Sequence, residues 1–315
     1  MPGPPDPLEP PDLLVLGDAN PDLVLTGDVE PAFGQAEQLL DEARLTVGGS
    51  AAILACGAAR LGLRVAFCGV VGDDLLGRFL HDELEHRGVD VGGLLVEPDR
   101  RTGLTVVLSR PNDRAILTHE GTIADLRAER IPASLLDGAR HVHVSSYFLQ
   151  PHLAPALPAL FERVRARGAT TSVDPNWDPS GRWDGGLRDL LAHTDVFLPN
   201  AAEATRIADV TDLDAAVAAL AAVAELIVAK AGAEGAVAGR GDQLVRASAP
   251  SIEPIDTTGA GDAFDAGFLA SWLAGDALER SLAIANACGA LSTRALGGVD
   301  GQPTMDEVLA RVGVG

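Results

Sequence analysis

The chain has 315 residues, 47% of them apolar, which is enough for a sizeable core in one large or two small α/β domains. Its net charge of −21 sets 45 acidic against 24 basic residues, with Lys230 the single lysine, so extended binding to nucleic acid or an anionic membrane is excluded and any anionic ligand needs a local site. Cys56, Cys68 and Cys288 lie in apolar surroundings without metal-ligand spacing, and their odd number gives no disulfide framework, so a reducing cytoplasm is the expected location.

Residues 1–11 are Pro-rich, with neither a basic region nor an apolar core, and read as a disordered tail rather than a signal peptide. No apolar run approaches the ~20 residues of a membrane span. Residues 12–315 read as one domain. Leu13 to Gly17 is a short apolar run typical of a buried parallel strand, and Asp18, Asn20 and Asp22 follow it in a polar turn. In open α/β sheets ligands bind at that strand edge, although Asn, Asp and Pro also form turns for purely local reasons. Leu23 to Thr26 and Ala43 to Val47 alternate weakly and leave the main sheet. Gly48 and Gly49 then precede Ser50 and an Ala-rich helix stopped at Gly62. The paired glycines punctuate the helix, and they also allow a ligand to approach the backbone.

Arg64 to Gly72 reads as the next buried strand, with Asp73 and Asp74 capping a helix through Arg87. Val91 to Val96, Thr102 to Ser109 and Ala115 to Thr118, separated by turn residues, read as short antiparallel strands. Arg101, Thr105 and His119 are candidates to face a ligand from there. From Leu135 onward strand and helix alternate, the mark of a parallel doubly wound sheet. His141 and His143 share one strand face without a third ligand nearby, and are read as ordinary strand residues. Asp174 and Asn176 end one strand. Asn200 and Glu203 follow another, where they suit a capping box. Lys230 ends a further strand and leads into Gly232 and Gly235; an ammonium there suits phosphate or a surface ion pair.

The most informative stretch runs from Asp256 through Thr257, Thr258, Gly259, Ala260, Gly261 and Asp262 to Phe264, directly into an apolar helical segment. Two glycines around one alanine permit a tight turn whose amides, at the start of a helix, form an anion pocket. Asp262 lies inside that pocket; alone it reads equally as a first-turn carboxylate favoured by the helix dipole.

This nine-residue string resembles the C-terminal signature of the ribokinase-like (phosphofructokinase B type) carbohydrate kinases. Gly48-Gly49 before an Ala-rich helix, Asp174-x-Asn176 and Asn200-x-x-Glu203 match its other motifs in family order. The resemblance implies a three-layer, mostly parallel sheet flanked by helices, with a small β-sheet lid built from segments near 19–47 and 90–120. It implies that Asp262 is the catalytic base and that Gly259, Ala260 and Gly261 form the anion hole. Asp18, Asn20, Asp22, Gly48 and Gly49 would hold the substrate. Asn200, Lys230, Gly232, Gly235, Thr258 and Asn286 would line the nucleotide site, Glu203 would position magnesium through water, and Asp256 would serve a monovalent cation, K+. A homodimer through the lid is also expected. Where many relatives carry an asparagine that holds the sugar, this chain has Ile53, which cannot hydrogen-bond.

The expected activity is therefore ATP-dependent transfer of a phosphoryl group to a hydroxyl of a sugar-like small molecule, with magnesium. A nucleoside acceptor is the first alternative, which 4% aromatic content disfavours; a catalytically silent sugar-binding protein is another. A dinucleotide fingerprint is missing after the first strand, and no Lys-Ser or Lys-Thr follows Gly261 as a Walker loop would require.

Overall fold

The computed structural model describes residues 10–110 and 113–313. The tail expected over residues 1–11 lies outside the described residues except for Pro10 and Pro11, whose carbonyl at Pro11 accepts from the Arg140 amide.

In chain order the first elements are β1 (Leu13–Leu16), β2 (Asn20–Thr26), β3 (Glu42–Gly48), α1 (Ser50–Arg60), β4 (Val65–Cys68), β5 (Val70–Gly72), α2 (Leu75–His86), β6 (Val89–Asp90), β7 (Leu95–Glu97), β8 (Leu104–Arg110) and β9 (Asp113–His119). The alternating half follows with α3 (Ala133–Gly138), β10 (His141–Val144), α4 (Leu157–Arg165), β11 (Thr170–Val173), α5 (Leu187–Leu191), β12 (Val196–Phe197), α6 (Ala201–Ala208), α7 (Leu213–Leu220) and β13 (Leu226–Lys230). Last come the antiparallel pair β14 (Ala236–Arg240) and β15 (Gln243–Ala247), then α8 (Ala260–Leu273), α9 (Leu278–Ser292) and α10 (Met305–Val312).

Nine strands form the main sheet in the order β15-β14-β13-β12-β11-β10-β1-β4-β6, parallel from β13 to β6. The apolar run of β1 sits at its centre with all four residues buried, as a strand covered on both faces requires. Two cores result: α1, α8 and α9 pack on one face, α4 and α7 on the other. On leaving β1 the chain builds β4 on one side and, later, β10 on the other. That change of direction opens a crevice at the carboxyl edge of the sheet.

His141 and His143 are buried in β10, each hydrogen-bonded to Ser172 Oγ (2.6 and 2.7 Å), with further bonds to Thr170 and Ser145. Burial holds both well below the usual histidine range, so they serve as neutral strand residues.

A separate four-stranded sheet, β3-β2-β8-β9, covers the crevice. It corrects the sequence reading in one respect. The segment from Val91 to Val96 is not part of it: β6 closes the main sheet beside β4, where Val89 is buried, and β7 pairs in parallel with β5. The turn residues there mark the return of the chain to the core after α2, not a hairpin. β8 and β9 pair antiparallel as expected, whereas β2 and β8 run parallel, because both leave the main body in the same direction.

Side chains alternate across this lid with the period of two of a strand. Thr46, Asp22, Thr105 and Thr118 form one cross-strand row, and Leu45, Leu23, Val106 and Leu117 form the next, on the opposite face. Asp22, Thr105 and Thr118 line the crevice, so the leucine row looks away from it.

Candidate active site

Beneath the lid lies a cavity of about 780 Å³. A second, of about 380 Å³, adjoins it, and both are lined by Lys230, Gly232, Thr257 and Gly261. The glycine-rich turn thus stands at a seam between two spaces.

Gly259 caps α8 with a left-handed φ of 72°, and a Cβ there would stand 2.7 Å from the Gly298 Cα. Glycine is required at that position. The first intrahelical bond runs from the Ala263 amide to the Gly259 carbonyl (2.9 Å), so the amides of Gly261 and Asp262 precede the ladder, while that of Ala260 donates to the Thr257 carbonyl at 3.3 Å. Anion-binding capacity therefore rests with Gly261 and Asp262 more than with Ala260. The Asp262 side chain reaches the first cavity. Its removal from bulk water, with Asp174 and Asp18 adding negative potential, raises its pKa well above the carboxylate range, against the pull of Lys230 and Ser50.

Lys230 is not at the surface. Its ammonium bridges Asp174 (2.6 Å) and Asp265 (2.8 Å), with 11% of the side chain exposed. Burial would lower its pKa, but Asp174, Asp265 and Glu203 outweigh that and raise it, so the ammonium stays charged. Asp174 also accepts the Asn176 amide (2.7 Å), and Asn176 donates to the hydroxyls of Ser50 and Ser146. Asp265 was not expected; its only sequence signal is its place one helical turn after Asp262, on the same face of α8.

Asn200 and Glu203 form the capping box of α6, with Glu203 accepting the Asn200 amide (2.8 Å) and side-chain nitrogen (2.5 Å). Both also line the first cavity. Burial, followed by the charge of Asp174, raises the Glu203 pKa. Among the described residues no three His, Cys, Asp or Glu side chains gather to hold a metal. A buried carboxylate that lacks a full cation shell beside a phosphate-sized space fits magnesium, which keeps most of its water.

On the lid side, Asn20 donates to Thr105 Oγ1 (3.0 Å) and Asp22 Oδ1 (3.2 Å), and Thr105 continues to Thr118 (3.1 Å). Gly48 leaves the Asp22 carboxylate its position, since a Cβ there would fall 2.0 Å from it. Asp18 lines the cavity while its oxygens receive the amides of Ser50 and Ala51, fixing the start of α1. Ile53 lines the same cavity and packs against Gly259 and Gly298, giving that wall an apolar edge. Thr105 faces the ligand space as anticipated, whereas Arg101 and His119 are exposed and do not line it. Arg114, which the sequence reading passed over, reaches from β9 to the hydroxyls of Thr257 (3.0 Å) and Thr258 (3.3 Å).

The second cavity is walled by Ile252, Pro254 and Phe264, with Gly235 and Asn286 at its border; Asn286 donates to the Ala247 carbonyl (2.9 Å). Its apolar walls, with a few polar groups such as Asn286 at the border, fit a nucleobase. Asp256 lines neither space. Its oxygens accept from Thr258 and Gly297, and the Arg114 guanidinium stands 3.9 Å away.

Residues 11–305 match the model of the pfkB family carbohydrate kinases. The chain belongs to that family. This kinase is 31% identical over 306 residues to an ATP-dependent ribose-1-phosphate kinase of Halopiger xanaduensis, covering 95% of this chain and 97% of the relative. It is 33% identical to a fructokinase of Klebsiella pneumoniae over 311 residues, covering 93% and 97%. It superposes with a TM-score of 0.81, at 27% identity and covering 96% and 98%, on a fructokinase of Vibrio cholerae bound to fructose, ADP and a calcium ion. The kinase is thus a carbohydrate phosphotransferase of ribokinase-like fold, and no described helix is long and apolar enough to cross a membrane.

Burial, reinforced by Asp18 and Asp256, pushes the Asp22 carboxyl up to about 7. A folded-state pKa above the unfolded value of ~3.9 contributes stability that is complete below the unfolded pKa and is lost as pH rises through 7. At about 1.4 kcal/mol per unit, the cost above pH 7 is on the order of a few kcal/mol. Asp22→Asn is therefore expected to raise the melting temperature at pH 8 and leave it nearly unchanged at pH 4; an equal shift at both pH values would contradict this origin.

Proposed function

We propose that this kinase transfers the γ-phosphate of ATP to a hydroxyl of a sugar or sugar-like small molecule. The supporting observation is that Asp262 lines the cavity shared by Asn20 and Asp22 and directly follows Gly261, which also lines the second, apolar-walled cavity. Asp22 and Asn20 orient the acceptor hydroxyls. Asp262 takes the proton of the attacking hydroxyl, and its raised proton affinity suits a base that must deprotonate an alcohol. The amides of Gly261 and Asp262, with Lys230, stabilise negative charge on the phosphoryl oxygens. When bound, magnesium neutralises phosphate charge, with Glu203 holding its water shell and Asn200 fixing the carboxylate. A monovalent cation beside Asp256 belongs to the same reading, and would share that carboxylate with Arg114. The lid excludes water that would otherwise compete as acceptor.

Asp262→Asn is expected to lower kcat by roughly 10²–10⁴-fold, the usual contribution of a positioned base, with nucleotide affinity near that of the parent; unchanged turnover in a coupled ADP-release assay would refute the assignment. Glu203→Gln should shift the magnesium titration of activity to higher concentration, and a superimposable titration would count against its role.

The apolar row of Leu45, Leu23, Val106 and Leu117 supports a homodimer formed lid to lid, because Leu45 and Leu117 are 40% and 60% exposed on a face turned from the cavity. Sedimentation velocity should show Leu117→Asp moving the protein toward monomer. A monomeric parent chain would exclude this assembly.

A further inference from the structure

Helix α8 buries an apolar stretch that includes Phe264, Ala266, Phe268 and Leu269, and among these side chains lies Asp265, with none of its surface exposed. A carboxylate so far removed from water is costly unless it is paired and hydrogen-bonded. Its partner is the Lys230 ammonium, at 2.8 Å. Asp265 lines neither cavity, so it can influence a ligand only through another residue.

That residue is Lys230, which lines both cavities. Its side chain runs beside the anion turn: a Cβ placed on Gly261 would stand 3.8 Å from the Lys230 Cδ and 3.9 Å from both Cε and Nζ. The backbone is anchored too, the Lys230 amide donating to the Pro199 carbonyl at 2.9 Å, directly before Asn200. Beyond that point the side chain is a flexible four-carbon stem with three donors on one nitrogen. Among the described residues the ammonium donates to Asp174 (2.6 Å) and Asp265 (2.8 Å), which come from different elements, the end of β11 and α8. One acceptor alone would let the ammonium swivel about a single contact. Two acceptors on separate elements fix its position, and with it the direction of the third N–H.

We propose that Asp265 is a positioning residue for phosphoryl transfer: with Asp174 it holds the Lys230 ammonium so that the remaining N–H meets the phosphoryl oxygens at the turn of Gly261 and Asp262. This rests on the kinase reading above and adds to it the group that aims the lysine. A charge already aimed needs no reorganisation when the transition state forms, which is where preorganised donors have their effect. Asp265 therefore contributes to turnover rather than to the binding of either substrate. The contact carries the effect, not the bulk of the side chain. An asparagine at this position still offers an amide oxygen to the ammonium, whereas a valine of similar size offers none.

The test uses the full chain in two measurements. In a coupled ADP-release assay, Asp265→Val is expected to lower kcat at least tenfold with the KM values of ATP and acceptor nearly unchanged, the signature of an interaction made in the transition state. Asp265→Asn should keep most of the parent kcat. Because Lys230 is the single lysine, its labelling by acetic anhydride, read by peptide mass spectrometry, reports on the ammonium directly. Asp265→Val should speed that labelling at least tenfold, and Asp265→Asn should leave it near the parent rate. Asp265→Ser, too short to reach the ammonium, replaces Asp265→Val if the latter does not fold. A purely structural ion pair would lower the melting temperature of Asp265→Val and leave the kcat of the folded enzyme unchanged. That result, a loss of kcat with Lys230 labelling unchanged, or an Asp265→Asn enzyme as slow as Asp265→Val would each overturn the proposal. A parent chain that turns over no acceptor sinks the kinase reading, and labelling then decides alone. Protection of Lys230 by a non-hydrolysable ATP analogue with magnesium that is lost in Asp265→Val supports the inference; protection equal in both proteins, or seen in neither, overturns it.

Discussion

A single buried ammonium holds the centre of this protein together. Lys230 joins the end of β13 to Asp174 at the end of β11 and to Asp265 on α8, at 2.6 and 2.8 Å. Around it stand Asp18, Asp22, Asp262 and Glu203, carboxylates that face one cavity in a chain already carrying a net charge of −21. Removing one member of such a desolvated group leaves an uncompensated charge, at a typical cost of about 3–5 kcal/mol. Because Asp265 follows Asp262 by one turn of the same helix, the ion pair also fixes the rotation of α8, and with it the direction in which the Asp262 carboxylate enters the cavity. Structural and chemical demands converge on the same residue.

The capping box of α6 shows the same double use. Asn200 and Glu203 satisfy each other and the helix terminus, as such pairs do in many helices, yet both line the ligand space. Neither function competes with the other, since a carboxylate has lone pairs for an amide and for the hydration shell of a cation.

Much of this was legible in the chain itself. The uniform apolar run of β1 identified a buried parallel strand, and the glycines at 48, 49 and 259 marked turns where a side chain would crowd its neighbours or the backbone needs a positive φ. Asn200, Glu203 and Lys230 were legible through their positions after strands. What the sequence did not convey depends on contacts between distant segments. The segment from Val91 to Val96 has the composition of a lid strand, but its one paired stretch, in β7, joins β5 outside the lid, a partner chosen by tertiary packing. Arg114 reads as one of many arginines until the lid register carries it over Thr257 and Thr258. The low aromatic content averaged over 315 residues hid the clustering of Trp177, Trp183, Tyr147 and Phe148 at one rim, because an average carries no position.

The lid meets the main body at only four points along the chain: before Asn20, after Gly48, before Leu104 and after His119. Asn20, Asp22, Thr105, Thr118 and Arg114 travel with it, whereas Asp262, Lys230, Glu203 and Trp177 stay with the large sheet and its helices. The covering sheet is thus a cassette with four splice points, and exchanging it between relatives would transplant the polar lid wall of the cavity while leaving the wall that carries Asp262, Lys230 and Glu203 untouched. Such a division gives evolution, or an engineer, a short route to a new acceptor without rebuilding the chemistry.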